Sequence, residues 1–438
     1  MKRVLILGAG LVAKPIVRYL LEHDDFEVTV ATRTVSKAER IIAGHPRGKA
    51  VQWTVDNTEG LRTLVANNDL VVSLLPYVYH VMVAKECIAQ RKHLVTTSYV
   101  KPEMRALDAD ARKAGVLLLN EIGLDPGIDH MSAMRTIHDI KNRGGRIVSF
   151  NSYCGALPAP EAADNPWKYK FSWSPRGVVL AAKNSARYLK DGKEISIPAE
   201  ELFKNYFTTQ VEGIGELEVY PNRDSVSYIE TYSVHGIETI FRGTLRYPGW
   251  CETWAAVGKL GLLSEEEISL DGMSYRDFVA KLMGIEGDPE KALPQFLGVP
   301  EDSHVIEKFR WLGLLSDERV PFEKSTPLDV FADLLEKKLQ YKEGERDMVI
   351  LKDVVVGEFP NGKREKITST LIDFGRIGNE TAVARTVSLP AAAAVRFILE
   401  GKINLSGVYI PVVPEIYEPV LGELERLGMK MTETVEEL

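Results

Sequence analysis

Cysteine is scarce in this chain, with three in 438 residues. Cys87, Cys154 and Cys251 are widely spaced and odd in number, so neither a disulfide framework nor a zinc-ligand spacing is suggested. Positive charge is in deficit too. The 54 Lys and Arg against 62 Asp and Glu leave a formal charge of -8. Phosphate binding needs a basic face and none is evident, which argues against a nucleic-acid partner. Long apolar runs are missing as well: none reaches the roughly 20 residues that span a bilayer, so no membrane is expected. Glycines interrupt the opening MKRVLILGAG too early for a signal peptide. There are no repeats and no low-complexity tract. A reduced, cytoplasmic protein is the expectation.

What is present is ordinary for a globular protein, at 45% hydrophobic and 26% charged residues. The length suits two or three domains. Up to residue 123 the chain alternates regularly. Apolar, β-branched runs stand at 3–8 (RVLILG), 27–32 (EVTVAT), 50–55 (AVQWTV), 70–75 (LVVSLL), 93–98 (HLVTTS) and 116–121 (VLLLNE), with helical spacing between them. Strands apolar on both faces and alternating with helices predict a doubly wound α/β domain with a parallel sheet. Residues 124–260 and 346–389 carry shorter strands and turn signals, including an Asn-Gly hairpin turn in EFPNGK, and predict an α+β domain. Residues 261–345 read as a helical insertion; STPLDVFADLLEKKL has Thr326 as a cap, Pro327 at the first helical position, and Leu328, Phe331, Leu335 and Leu339 on one face. Residues 390–438 read as helices expected to complete the first domain.

GAGLVA at 8–13 follows the first strand and opens a helix, which matches G-x-G-x-x-A in the context the motif requires. Gly8 permits the tight turn, Gly10 lets the backbone approach a pyrophosphate, and small Ala13 lets helix and strand pack closely. Unpaired N–H groups at the helix start then favour phosphate. Pro15 falls in the first turn, where it is tolerated. A reader of the ribose 2′-hydroxyl would be Asp or Glu near the end of the second strand. The chain instead has Arg33 between Thr32 and Thr34, and an arginine fork suits the 2′-phosphate of NADP. Ser98 and Tyr99 close the fifth strand, on the side where a nicotinamide would lie.

NEIGLDPGIDHM at 120–131 is unusually charged for a segment leaving an apolar strand. Asp125 is the candidate acid–base group, with the cap of the next helix as its plain alternative. A metal site from Glu121, Asp125, Asp129 and His130 fits no standard ligand spacing. Cys154, in SYCG, is a candidate positioning or proton-relay group, or simply a small buried hydrophobe. Arg223 in YPNRDS and Arg246 in GTLRYPG are arginines in turn-rich contexts, suited to planar carboxylates.

Taken together, LGAGLVAKP, SLLPY, VTTSYV, NEIGLDPGIDHM, SYCGALPAPE, YKFSWSPRG, YPNRDS and RGTLRYPG resemble the saccharopine dehydrogenase family, and within it the glutamate-forming type. EGERDMV and SLPAAAAVRFILEG extend the likeness, while DFGRIGNETAVARTV departs from it. The resemblance implies an NADP(H)-dependent oxidoreductase that joins aminoadipate semialdehyde and glutamate through an imine into saccharopine, and reverses that reaction. It implies cofactor contacts at Gly8, Gly10, Leu11, Val12, Ala13, Thr32, Arg33, Thr34, Asp56, Leu75, Pro76, Leu124, Pro126 and Ser174. It implies substrate contacts at Ser98, Tyr99, Asp125, Arg223, Thr244, Leu245 and Arg246, with catalytic roles for Asp125, Cys154 and Tyr99 and no metal. A related carboxynorspermidine-type reductive condensation and a non-catalytic NADP sensor are the alternatives. The chain alone leaves oligomeric state open, a homodimer included.

Overall fold

In the computed structural model, Val4, Leu5, Ile6 and Leu7 are wholly buried, as befits a parallel strand covered on both faces. They form β1 (Lys2–Leu7). There follow β2 (Phe26–Thr32), β3 (Gly48–Gln52), β4 (Leu70–Ser73), β5 (His93–Val95) and β6 (Leu117–Leu119). With the strand Gly407–Tyr409 they build one sheet, ordered Gly407–Tyr409, β6, β5, β4, β1, β2, β3. Every pairing in it is parallel. The strand order reverses at β1 and β4, the switch point beside which open α/β sheets bind ligands. The structure describes residues 1–378 and 380–438; Asn379, inside the divergent DFGRIGNETAVARTV stretch, lies outside the described residues.

The chain forms two compact units, Met1–Ile147 with Leu351–Leu438, and Val148–Ile350. In the first, α1 (Ala13–Leu21) buries Ile16, Val17, Leu20 and Leu21 and packs against the helix Ala382–Leu399. That helix is long and apolar enough to cross a membrane, with mean hydropathy 1.5, yet 83% of it is buried. It is a core helix of this unit. The C-terminal segment is tied on further by Tyr19, whose hydroxyl donates to Glu423 at 2.6 Å, while Arg396 Nη1 reaches both groups. The region from Pro390 onward was expected to be helical throughout; it also supplies Gly407–Tyr409 and Thr432–Glu437 as strands. Thr432–Glu437 is exposed at every position, so no apolar alternation marks it. Its antiparallel pairing with Arg364–Phe374 and flanking Lys–Glu pairs hold it.

The second unit is built on a mixed sheet. Its strands include β7 (Arg146–Pro158, entering the unit at Val148), β8 (Ala186–Lys190), β9 (Lys193–Ile197), β10 (Phe207–Val211), β11 (Gly215–Pro221) and β12 (Thr239–Arg246). β10, β11 and β12 are antiparallel neighbours, β12 runs parallel to β7, and the β8–β9 hairpin hangs on β12. Six helices among the described residues share one core with this sheet: Pro175–Ala181, Trp250–Lys259, Tyr275–Met283, Pro289–Leu297, His304–Leu312 and Pro327–Lys338. Thr326 caps the last of them by accepting the Asp329 N–H at 3.0 Å, and Leu328, Phe331, Leu335 and Leu339 are buried together.

Candidate cofactor and substrate sites

In the first unit the loops after β1, β2, β3 and β4 surround a cavity of about 510 Å³. Gly8, Gly10, Thr32, Arg33, Thr34, Asp56, Leu75 and Pro76 all line it. Gly8 adopts φ +109, and a Cβ there would stand 3.1 Å from the Leu74 carbonyl oxygen; a Cβ at Gly10 would meet nothing within 4 Å. The loop is therefore tight on the sheet side at Gly8 and open at Gly10, which is the form a pyrophosphate cradle takes. Leu11 is exposed, Val12 is the residue at the N-cap of α1, and Ala13 is buried at its start. Lys37 also lines the cavity. No motif in the sequence marks it, and its place one helical turn past Arg33 and Thr34 is the only local signal. Arg33 and Lys37 give two cations for a 2′-phosphate, so these residues fit NADP. Asp56 lies at the far lip, its carboxyl held below the usual range by a hydrogen bond from Thr54.

The ends of β5 and β6 form the second cluster of this unit. The Tyr99 hydroxyl donates to Asp125 Oδ1 at 2.9 Å. Asp125 is half-buried between buried Leu124 and Pro126. The N-cap of the helix Ile128–Asn142 is Gly127, and the carboxylate that takes the Gly127 N–H is Asp129, at 2.5 Å. Asp129 thus holds the turn at Gly127, and Asp125 accepts from Tyr99. The other members of the charged segment are engaged separately: His130 Nε2 lies 2.8 Å from Glu121 Oε2. Among the described residues no group of three or more His, Cys, Asp and Glu side chains is disposed to hold a metal ion.

Two residues that were not singled out for these roles support this cluster. Glu121 brackets Tyr99: its N–H donates to the Ser98 carbonyl at 3.1 Å and its Oε1 accepts the Val100 N–H at 2.8 Å. His80 sits between the strand ends, with Nδ1 2.9 Å from Ser73 Oγ and Nε2 2.8 Å from Ser98 Oγ. Burial holds its pKa down to about 4, so it is a neutral imidazole that orients Ser98. Only its position just after SLLPY hinted at this. The turn itself depends on Gly127, at φ +148, where a Cβ would fall 2.0 Å from the Gly123 carbonyl oxygen. Gly127→Ala is expected to cost at least about 1–3 kcal/mol from backbone strain alone, read as a lowered Tm with turnover lost in proportion to the misplaced Asp125.

In the second unit, register brings the remaining candidates together. Tyr220, Thr244 and Cys154 are partners across β11, β12 and β7, and Glu218 stands opposite Arg246. Side chains alternate along a strand, so Thr244 and Arg246 share a face with Tyr220, Cys154 and Glu218. Leu245 points the other way, is wholly buried and abuts Gly155, where a Cβ would meet its Cβ at 2.8 Å. What Leu245 offers the site face is its carbonyl, which accepts Arg246 Nη1 at 2.7 Å.

Arg246 is 5% exposed. Its guanidinium carbon lies 5.3 Å from the Tyr169 ring centre and 5.0 Å from that of Trp250, while its Nε has no hydrogen-bond partner among the described residues. No ion pair joins it to a carboxylate there either, since Glu218 is spent on the Gly249 and Cys251 N–H groups at 2.6 and 2.8 Å. A buried cation without a counter-ion is costly, and an anionic ligand is the natural complement. Arg223 differs: it is exposed, takes φ +52, and lines a separate open cleft with Arg187, Ser185 and Ser196. Cys154 is a half-buried thiol. Ser174 caps the helix Pro175–Ala181, its Oγ accepting the Gly177 N–H at 3.2 Å.

Residues 4–119 match the family described as saccharopine dehydrogenase NADP binding domain, and residues 123–429 match the saccharopine dehydrogenase C-terminal domain. The saccharopine dehydrogenase [NADP(+), L-glutamate-forming] of Saccharomyces cerevisiae is 40% identical over 446 residues, covering 99% of both chains. The mitochondrial alpha-aminoadipic semialdehyde synthase of Bos taurus is 38% identical over 98% of this chain, which spans 47% of that longer protein. The solved structure of apo histidine-tagged saccharopine dehydrogenase (L-Glu forming) from S. cerevisiae agrees with this fold at TM-score 0.93, with 38% identity and 100% of both chains covered. Two family models that together span most of the chain, and likeness from end to end, lead to one assignment: the chain is a member of the saccharopine dehydrogenase family.

Proposed function

We infer that this protein interconverts saccharopine with aminoadipate semialdehyde and glutamate, using NADP(H). NADP supplies hydride transfer at the carbon of the secondary amine, and the chain's own residues bind, orient and manage protons. In the oxidative direction the amine carbon gives up hydride and the nitrogen a proton, leaving an imine. Water adds to the imine carbon, the nitrogen takes a proton, and the new hydroxyl gives up its proton as the C–N bond breaks, so that glutamate leaves with the semialdehyde as co-product. Asp125, hydrogen-bonded to Tyr99, is the proposed acid–base group for the water step. Tyr99 holds it, His80 fixes Ser98, and Cys154 and Thr244 orient substrate on the second unit.

The observation that carries the substrate reading is Arg246. Saccharopine bears three carboxylates, and this arginine is buried between two aromatic rings with unpaired hydrogen-bonding capacity. Arg223, Ser98 and the Leu245 main chain are the further proposed contacts. The test is product identity: glutamate released in equal amount to NADPH formed supports this reading, and NADPH formed without glutamate refutes it.

Cofactor choice follows from Arg33 and Lys37. Arg33→Asp should raise the Kd for NADP by roughly ten- to a hundredfold, the scale of a lost charge-assisted hydrogen bond, and leave NAD affinity little changed. Titration of both dinucleotides against parent and variant checks this. A cytoplasmic site of action is part of the proposal, although the bovine relative carries the word mitochondrial in its name.

A further inference from the structure

Lys308 belongs to the helix His304–Leu312 and is 4% exposed. Its ammonium donates to the Gly249 carbonyl at 2.6 Å and to Thr253 Oγ1 at 2.9 Å. Both acceptors are neutral. An ammonium placed in a core against neutral acceptors is poor for stability, and an apolar side chain of similar volume would serve the packing better. Burial lowers its pKa to about 8, with Glu218 and Glu252 opposing the shift, so it is charged at neutral pH. The position it grips is specific. Gly249 sits at φ +87, and a Cβ there would lie 3.0 Å from Lys308 Nζ and 3.1 Å from His304 Nε2. The Gly249 N–H is held from the other side by Glu218, which also takes the Cys251 N–H. Gly249 ends the turn that carries Arg246 at the close of β12 into Trp250 at the start of the next helix. Those two residues are the ones in cation–π contact.

We propose that Lys308 is a positioning residue for substrate binding: with Glu218 it clamps Gly249 from both sides and so holds Arg246 against Trp250 and Tyr169, ready for a substrate carboxylate. The inference rests on the reading of Arg246 given above. It gives the helical segment a task in recognition, because a residue of that segment sets the geometry of a turn on the sheet.

The experiment is a double-mutant cycle on the whole enzyme with saccharopine as the varied substrate. Lys308→Met should raise the KM for saccharopine by roughly ten- to a hundredfold, on the scale of a lost hydrogen bond from a charged group. kcat should fall far less, and NADP affinity should stay at the parent value. In the Arg246→Ala background the same change should add almost nothing, because the group it positions is gone. Fully additive effects, or a parental KM in Lys308→Met while Arg246→Ala is impaired, overturn the proposal and leave Arg246 standing. A parental KM in Arg246→Ala removes the substrate reading itself. Should Lys308→Met fail to fold, Lys308→Gln, which keeps a donor but no charge, carries the same cycle.

Discussion

Arg246→Ala is expected to raise the KM for saccharopine by roughly 30- to several-thousand-fold, the equivalent of about 2–5 kcal/mol for truncating one side of a buried, hydrogen-bonded charge pair. The size follows from the surroundings. The guanidinium lies in an aromatic slot, away from water, and its Nε bonds to nothing among the described residues, so a carboxylate entering there meets little solvent competition. Arg246→Lys keeps the charge and loses the planar fork, and should fall between parent and alanine variant. Arg223→Ala should cost less than Arg246→Ala because Arg223 is exposed and its pairing is screened. Arg246→Met should also make the substrate-free protein more resistant to heat, since it removes a buried charge that has no ion pair among the described residues. Saturation curves with thermal melts of the same variants separate the two effects. An arginine serving only the fold would give the opposite pattern, lowered Tm with a parental KM.

Asp125→Ala should lower kcat by roughly 10²–10⁴-fold, the usual contribution of one positioned acid–base group, and leave NADP affinity nearly unchanged. The residue is held by Tyr99 at 2.9 Å, and Asp129 takes the Gly127 N–H, so removing the Asp125 carboxyl leaves that bond in place. Tyr99→Phe should be intermediate, because Asp125 keeps its charge and loses one fixing hydrogen bond. Cys154→Ser should be milder still. Full turnover in Asp125→Ala would remove it from the chemistry. A melting temperature that falls as far as in Gly127→Ala would make its role structural.

The parallel sheet was legible because its strands are buried on both faces. RVLILG, EVTVAT and LVVSLL overlap β1, β2 and β4 closely. The glycine loop was legible because each glycine answers a local steric need. Long-range register was not. Nothing within SYCG or GTLRYPG states that Cys154 and Thr244 are strand partners 90 residues apart, or that Glu218 faces Arg246. Local reading also cannot say which of two nearby carboxylates takes the Gly127 N–H and which meets Tyr99, so Asp125 and Asp129 could be told apart only in three dimensions. Lys308 lies among residues whose charge looks solvated in sequence, and only the fold shows it buried against Gly249. Exposed Thr432–Glu437 carries no apolar pattern, and its pairing rests on main-chain bonds that leave no trace in composition.

The central claim is that one chain couples a tricarboxylate secondary amine to NADP. Its most direct test is to follow NADPH absorbance as the purified protein is given saccharopine with NADP, with NAD in its place, or with NADP alone. The account predicts saccharopine-dependent reduction of NADP, much weaker reduction of NAD, and none without saccharopine. Binding of NADP with no saccharopine-dependent reduction, or equal use of the two dinucleotides, would contradict it.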